Sequence, residues 1–431
     1  MWLPLPHVLN MIPVQNDWLY RTGASAIALS VLSLAIAIWA VASLIIRTTG
    51  SIMGAFTAAA LILLNPNVLY LQSTPMTEPL LFATTLLAVM FTCEWLDGLR
   101  SSTAASLTLA AACMTRYEAW PITAAIVVLS GVVLLRRGAS VLTATAGAVR
   151  LTLPAAIAIA VFLVNSRWTI GAWFVSSGFF VPENTEALGH PSAAFEQLKL
   201  GLYQLSGSAL VWSAYAGAAL ILLGFAGRSS TSRHSLIVLF ALAASGILPW
   251  YAYLHGHPFR IRYDVPLIVA CGALAGAGAG LIWRPARLLV AAFVIGAAPV
   301  QAHPLDRTAP LVKESQRDAV NRVGRTAVTD YLVKHWDGTT IMMSMGSLAH
   351  YMHDLSAQGF RIHDFLHEGN GDIWKLALIK PKTVVRWIAI EEQAEGGDAL
   401  CQEARRRPGF LEGFERVAEG GGVALYRAQP R

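Results

Sequence analysis

The sequence predicts an all-α polytopic membrane domain followed by a small α/β soluble domain, and three observations carry that expectation. Of 431 residues, 55% are hydrophobic and only 13% charged, and the mean hydropathy is +0.52, outside the usual range of soluble globular chains. Charge is unevenly placed: residues 1–303 hold 15 Lys/Arg and 9 Asp/Glu, whereas residues 304–431 hold 17 of each, so the formal +6 belongs to the first part. The long apolar runs all fall before His303, and the tail alternates short strand-like and helical patterns.

A hydrocarbon core about 30 Å thick needs roughly 20 apolar residues at helical rise. That ruler predicts ten spans, at about 22–46, 51–71, 79–97, 102–116, 119–135, 150–167, 203–226, 235–254, 264–283 and 286–300. The Ala- and Thr-rich 102–116 segment is short for a crossing and reads as tilted or re-entrant. Basic residues stand singly between the runs rather than in a patch, which argues for a membrane and against nucleic acid. Cys93, Cys113, Cys271 and Cys401 are far apart and three lie in apolar runs, so free thiols are expected rather than disulfides or a Cys-based metal site.

With the spans alternating, Arg47, Arg100, Arg136, Arg137, Arg150, Arg228, Arg233, Arg284 and Arg287 share one side, which short basic loops mark as cytoplasmic. The other side receives the loops Gln72–Pro79, Arg116–Trp120, Trp168–Gly201 and His255–Tyr263, and everything after Val300. The chain is thus expected in a bacterial inner membrane, with its C-terminal domain periplasmic or extracellular. Ten spans that end outside also require an outside start. Trp2–Tyr20 reads as a translocated loop, without the basic and apolar regions of a signal peptide, so an N-terminal helix and the loop after it are expected to be missing.

A Pro-containing segment, Ala302–Pro310, sets the domain boundary at His303 and Pro304. Beyond it, Thr340–Met345, Val384–Ile390 and Val423–Tyr426 read as strands, and Gln316–His335, Ser347–Ala357 and Gly397–Arg407 as helices. Alternation of this kind predicts an α/β domain, with Gly420–Gly422 as a turn. Its His350, His353, His363 and His367 read as surface residues and not as zinc ligands.

Ionisable groups at membrane depth are costly and mark candidate functional positions. Three clusters qualify. In Ser73–Pro79, Glu78 sits at a helix start, where a first-turn acid also suits the dipole. In Thr115–Trp120, Arg116 and Glu118 are two apart and would not face each other on a helix, which favours partners elsewhere; an interfacial Tyr117/Trp120 anchor is the plainer account. In His255–Asp264, Arg260 and Arg262 suit a lipid-linked phosphate, by the guanidinium fork, or simple snorkelling. His255 and His257 lack the further ligands of a metal site.

The ordered set WLPLPH (Trp2–His7), NDWLYRTG (Asn16–Gly23), STPMTEPLLF (Ser73–Phe82), MTRYEAWP (Met114–Pro121) and HPFRIRYDVPL (His257–Leu267) resembles the membrane glycosyltransferases of the type C fold. More narrowly, it is similar to the bacterial family 39 group related to dolichyl-phosphate-mannose protein mannosyltransferases. The resemblance covers roughly residues 1–300. It implies transfer of a sugar from a polyprenyl-phosphate donor to a lipid, glycan or protein acceptor on the outer face, by single displacement with inversion. It further implies catalytic roles for Glu78 and Glu118, donor-phosphate binding by Arg116, Arg260 and Arg262, and supporting roles for Asp17, His7, His255, His257 and Tyr117. It fixes no cofactor with certainty and admits a divalent metal, without assigned ligands. The family's first outer loop, with its acidic residue, has no counterpart here, which implies an inactive truncated form. A secondary transporter and a non-catalytic scaffold for a periplasmic domain are the competing readings.

Overall fold

The computed structural model describes residues 3–173, 184–227, 231–393 and 397–429. Two compact units divide the chain, one made of residues 1–175 and 183–313, the other containing residues 314–431.

All ten apolar segments are helical, but they are not ten equal crossings. Among the described residues seven helices are long and apolar enough to span: Ala24–Thr49, Glu78–Leu96, Ala119–Arg136, Val141–Thr169, Pro191–Ala226, Ser235–Leu254 and Ile261–Leu281. An eighth forms if Ile52–Leu63 and Pro66–Gln72, bent by 72°, count as one. Ser102–Cys113, with 12 residues, reaches only about 18 Å at helical rise, and Arg287–Gln301 has 15 residues. Hydropathy registers an apolar run but neither the bend inside it, as after Leu63, nor the length of the helix that forms there. Large side chains such as Leu32, Phe56, Val128, Val161 and Phe293 lie exposed on helix flanks, as lipid-facing surface does.

Close packing is set by glycine. The helix Pro266–Leu281 is buried along its whole length, and a Cβ at Gly276 would stand 2.4 Å from Ala58 Cβ, one at Gly278 2.3 Å from Gly217 Cα. Small residues let helix backbones approach in a medium that gives no hydrophobic drive between helices. Two breaks are capped by side chains. Asn65, at the 72° bend, accepts from Asn67 N and donates to Leu205 O at 2.8 Å. Gly207 interrupts the helix Pro191–Ala226 at φ 72°, ψ 154°, and Gln301 Oε1 accepts from Ala209 N beside that break. Backbone groups freed inside a membrane thus keep partners.

The helix Glu78–Leu96 carries ion pairs near both ends. At its C-terminal end Glu94 meets Arg47 and Arg100 at 2.6 and 2.7 Å, and Asp97 meets Arg137 at 2.8 Å. Three arginines read as same-sided therefore do gather at one end of the bundle; Arg228 and residues 174–183 of the Trp168–Gly201 loop lie outside the described residues.

The expected loop at Trp2–Tyr20 is instead helical at Leu5–Met11 and Asp17–Thr22, with Trp2 outside the described residues. Asn16 caps the second helix by accepting from Trp18 N and Leu19 N, the side-chain capping that an Asn-Asp pair before an apolar residue offers. Leu5 N donates to Met114 O at 2.9 Å, which docks this segment beside the Arg116 turn.

The second unit is α/β. Strands β1 (Ile341–Met343), β2 (Phe365–Leu366), β3 (Trp387–Glu391), β4 (Phe414–Gly420) and β5 (Val423–Ala428) form one sheet in the order β2-β1-β3-β5-β4. β1 runs parallel to β2 and β3, while β5 is antiparallel to β3 and β4. Ile341, Met343, Trp387 and Ala389 pack with Leu332, Leu348 and Leu355 in one core, and Met342, Ile388 and Ile390 with Trp374 and Leu400 in another. The period of two along each strand separates the two faces. Gly421 and Gly422, at φ 54° and 81°, make the β4–β5 turn, as the glycine run predicts.

Candidate active site

Glu78 is the first residue of the helix Glu78–Leu96 and is fully buried, at 0% exposure. Its side chain caps nothing; instead its Oε1 accepts from Arg116 Nη1 at 3.0 Å and from Arg262 Nε. Arg116 also donates from Nη1 to Thr77 Oγ1 at 3.0 Å and from Nε to Glu118 Oε1 at 3.0 Å. The Arg116–Glu118 pair contradicts the expectation that residues two apart would look elsewhere. Between the helices Ser102–Cys113 and Ala119–Arg136 the chain turns, and helical spacing does not govern which side chains meet there.

One guanidinium thus joins three residues, Thr77, Glu78 and Glu118, from two of the three charged clusters. Burial works against its charge, yet Glu118 and Glu78 override burial and hold Arg116 above the ordinary arginine range. Arg262 is the more open partner: its side chain is 27% exposed against 11% for Arg116. Its Nε is committed to Glu78, and its terminal nitrogens have no hydrogen-bond partner among the described residues. Glu78 Oε2 also lacks a partner among the described residues.

Arg260 lies two residues before Arg262 in the same loop. The backbone of Arg260 is fixed by the buried Tyr253, whose hydroxyl donates to Arg260 O at 3.0 Å. His257 lies nearby, its ring 5.5 Å from that of Tyr263 and its Nδ1 2.9 Å from Pro258 O. Four of the five residues expected to act together, Glu78, Arg116, Glu118 and Arg262, therefore share one network, although Glu78 and Arg262 are 184 positions apart.

The supporting residues divide. Tyr117 packs edge-on to Trp120 and Phe162, and burial raises its hydroxyl above the ordinary range. Asp17 pairs with Arg21 one helical turn away, on an exposed helix. His7 is exposed, and His255 stacks on Tyr251 with its Nδ1 against Tyr251 O; no contact carries either into the Glu78 network. Sequence reasoning left Thr77, Tyr263 and Asp264 unassigned. Thr77 and Tyr263 lay inside the quoted segments, and Asp264 was detectable as an acid at the start of an apolar run.

Glu78 and Glu118 each direct Oε1 to guanidiniums, and among the described residues no three His, Cys, Asp or Glu group to hold a metal ion. A carboxylate pair already matched by two arginines is a poor donor set for a resident divalent ion, so the residues do not fit one.

No protein-family model matches the chain, and no curated protein matches it. Among solved structures the chain is similar to ArnT from Cupriavidus metallidurans in the apo state, with TM-score 0.56 and 12% identity over 94% of this chain and 85% of that one. At that identity the likeness is one of fold. The chain has the type C membrane glycosyltransferase fold, an all-α membrane part followed by a small α/β part.

Proposed function

We propose that this protein is a membrane glycosyltransferase that moves a sugar from a polyprenyl-phosphate donor to a lipid, glycan or protein acceptor at the outer membrane face. The observation that carries the reading is Arg262: a guanidinium anchored through Nε to a fully buried carboxylate, with its terminal nitrogens unpaired among the described residues. A fork held in this way is preorganised for a phosphate. Arg260 adds a second positive charge in the same loop, while Glu118 and Thr77 fix Arg116 so that it holds Glu78 in place.

In this reading the acceptor oxygen attacks the anomeric carbon as the bond from that carbon to the phosphate oxygen breaks. The phosphate leaves with the electron pair and is stabilised by Arg262 and Arg260. The acceptor proton passes to Glu78 Oε2, the carboxylate oxygen without a partner among the described residues. Attack opposite the leaving group inverts the anomeric centre.

Reconstituting the chain in proteoliposomes with labelled polyprenyl-phosphate hexoses and pentoses tests this. Label transfer that Arg262→Ala abolishes supports the proposal. Equal transfer by wild type and Arg262→Ala, or a wild type that neither transfers the sugar nor binds polyprenyl phosphate, overturns it.

A further inference from the structure

The short turn Ile261–Asp264 is a 3-10 helix, in which successive side chains are rotated by about 120°. Its last three residues accordingly meet three different surroundings. Arg262 reaches Glu78 on the helix Glu78–Leu96, and Tyr263 lies against His257. Asp264 turns to the helix Pro191–Ala226, where its Oδ2 is so close to Gly201 that a Cβ added to that glycine would stand 1.9 Å from it; the same Cβ would lie 3.4 Å from the Phe259 ring.

Asp264 is fully buried, and among the described residues neither of its carboxyl oxygens has a hydrogen-bond partner. An acid in that condition at membrane depth is costly, and an apolar residue would fill an apolar contact at less cost. The glycine opposite is equally specific, because any other side chain there would occupy the carboxyl's place. The turn is clamped from two sides, by the Arg262 ion pair and by the Asp264 seat.

We infer that Asp264 is a positioning residue which, seated against Gly201, sets where Arg262 presents its free nitrogens. The inference rests on the proposed donor-phosphate role of Arg262 and names the group that holds that role in register. Asp264 acts through the turn it anchors, its carboxyl seated against Gly201.

The test uses the full chain in lipid nanodiscs, with polyprenyl phosphate as the probe and thermal unfolding as a second readout. Asp264→Ala and Gly201→Ala are each expected to weaken polyprenyl phosphate binding by ten- to a hundred-fold, on the order of the loss that small misplacements of a binding group cause. Asp264→Asn keeps the shape of the seat and is expected to bind within about threefold of wild type, as a near-isosteric side chain that leaves the geometry in place should. The double variant Gly201→Ala/Asp264→Ala gives the new Cβ room and is expected to recover Tm without recovering affinity. A role confined to packing would restore both. Unchanged affinity in Asp264→Ala overturns the inference. If wild type itself binds no polyprenyl phosphate, the proposed function fails, and the Tm cycle between Asp264→Ala and Arg262→Ala decides this inference separately: coupling supports a turn clamped from two sides, and additivity overturns it.

Discussion

Arg262 donates from Nε to Glu78 Oε1, so the turn Ile261–Asp264 is tied to the start of a helix 184 positions earlier. The carboxylate serves two guanidiniums at once, because Arg116 reaches the same oxygen. A buried acid with two cationic partners is both a candidate reaction group and a structural tie, and the two roles separate on mutation.

Glu78→Gln is expected to lower sugar transfer by about 10²-fold or more and also to lower Tm, since it leaves two guanidiniums without their carboxylate. Breaking a buried pair from one side typically costs about 3–5 kcal/mol. Arg262→Ala is expected to lose comparable activity with a smaller fall in Tm, because Arg262 is partly exposed and Arg116 remains on Glu78. Transfer rates and thermal unfolding of the two variants side by side check this. Equal destabilisation with full activity would show that the network is only a strut.

How much of this was legible beforehand depended on which physical signal each residue carried. Glu78, Arg116 and Arg262 were visible because charge next to apolar runs is expensive wherever it occurs. Their convergence was not, since partners so far apart in sequence leave no local trace. Gly207 and Asn65 broke helices that hydropathy read as continuous, because an apolar average is blind to one residue with unusual dihedrals. In the tail, β1, β3 and β5 announced themselves by apolar, β-branched runs, whereas β4 is an edge strand with Glu415, Arg416 and Glu419 along it and looked like loop.

The arginine distribution predicts that the end of the bundle holding Arg47, Arg100 and Arg137 faces the cytoplasm, and that Arg431 is on the opposite side of the membrane. Alkaline phosphatase fused after Arg431 is expected to be active and a fluorescent protein fused there dark. The reverse pattern would place the Glu78 network at the inner face and remove the outer-face reaction.

Glycine packing makes a prediction with its own control. Gly276→Ala is expected to destabilise by about 1–3 kcal/mol, as overpacking does, because the new methyl would sit 2.4 Å from Ala58 Cβ and 2.6 Å from Ala58 N. Gly296 has nothing within 4 Å of an added Cβ and lies in the helix Arg287–Gln301. Gly296→Ala is expected to be neutral or to stabilise by about 0.5–1 kcal/mol through helix propensity. Thermal unfolding in one detergent distinguishes the two, and equal effects would contradict the close helix approach.

The α/β part, expressed alone from Leu305, is expected to fold without metal. Its buried Asp398 and Glu391 are expected to contribute less stability as pH rises through the acid range. Asp337 contributes in the opposite sense, because its burial is outweighed by the Thr339 and Trp387 hydrogen bonds that hold it below the ordinary range. Asp398 is buried at the N-cap of the helix Ala399–Arg406, where it accepts from Cys401 N at 2.8 Å and from Ser347 Oγ. Burial raises its carboxyl above the ordinary range, although the Ser347 and Cys401 bonds pull the other way. Glu391 is likewise raised by burial, against the pull of the Gln393 backbone bond and Arg325. A raised folded value means that the folded state binds the proton more tightly than the unfolded chain does. The stabilisation is therefore full below the unfolded carboxylate range, at about pH 4, and is lost as pH rises through the folded value. Asp398→Asn keeps an N-cap of equal quality and removes one of these two ionisations, so the part of the stability that falls with pH is expected to be smaller while the helix is retained. Asp398→Ala loses the cap as well and is expected to cost about 1 kcal/mol where the carboxyl is protonated. Denaturant titrations of the three forms between pH 4 and 8, repeated with a chelator, measure these differences. Parallel pH profiles for wild type and Asp398→Asn would remove Asp398 from the account, and unfolding by the chelator would show that the domain depends on a metal.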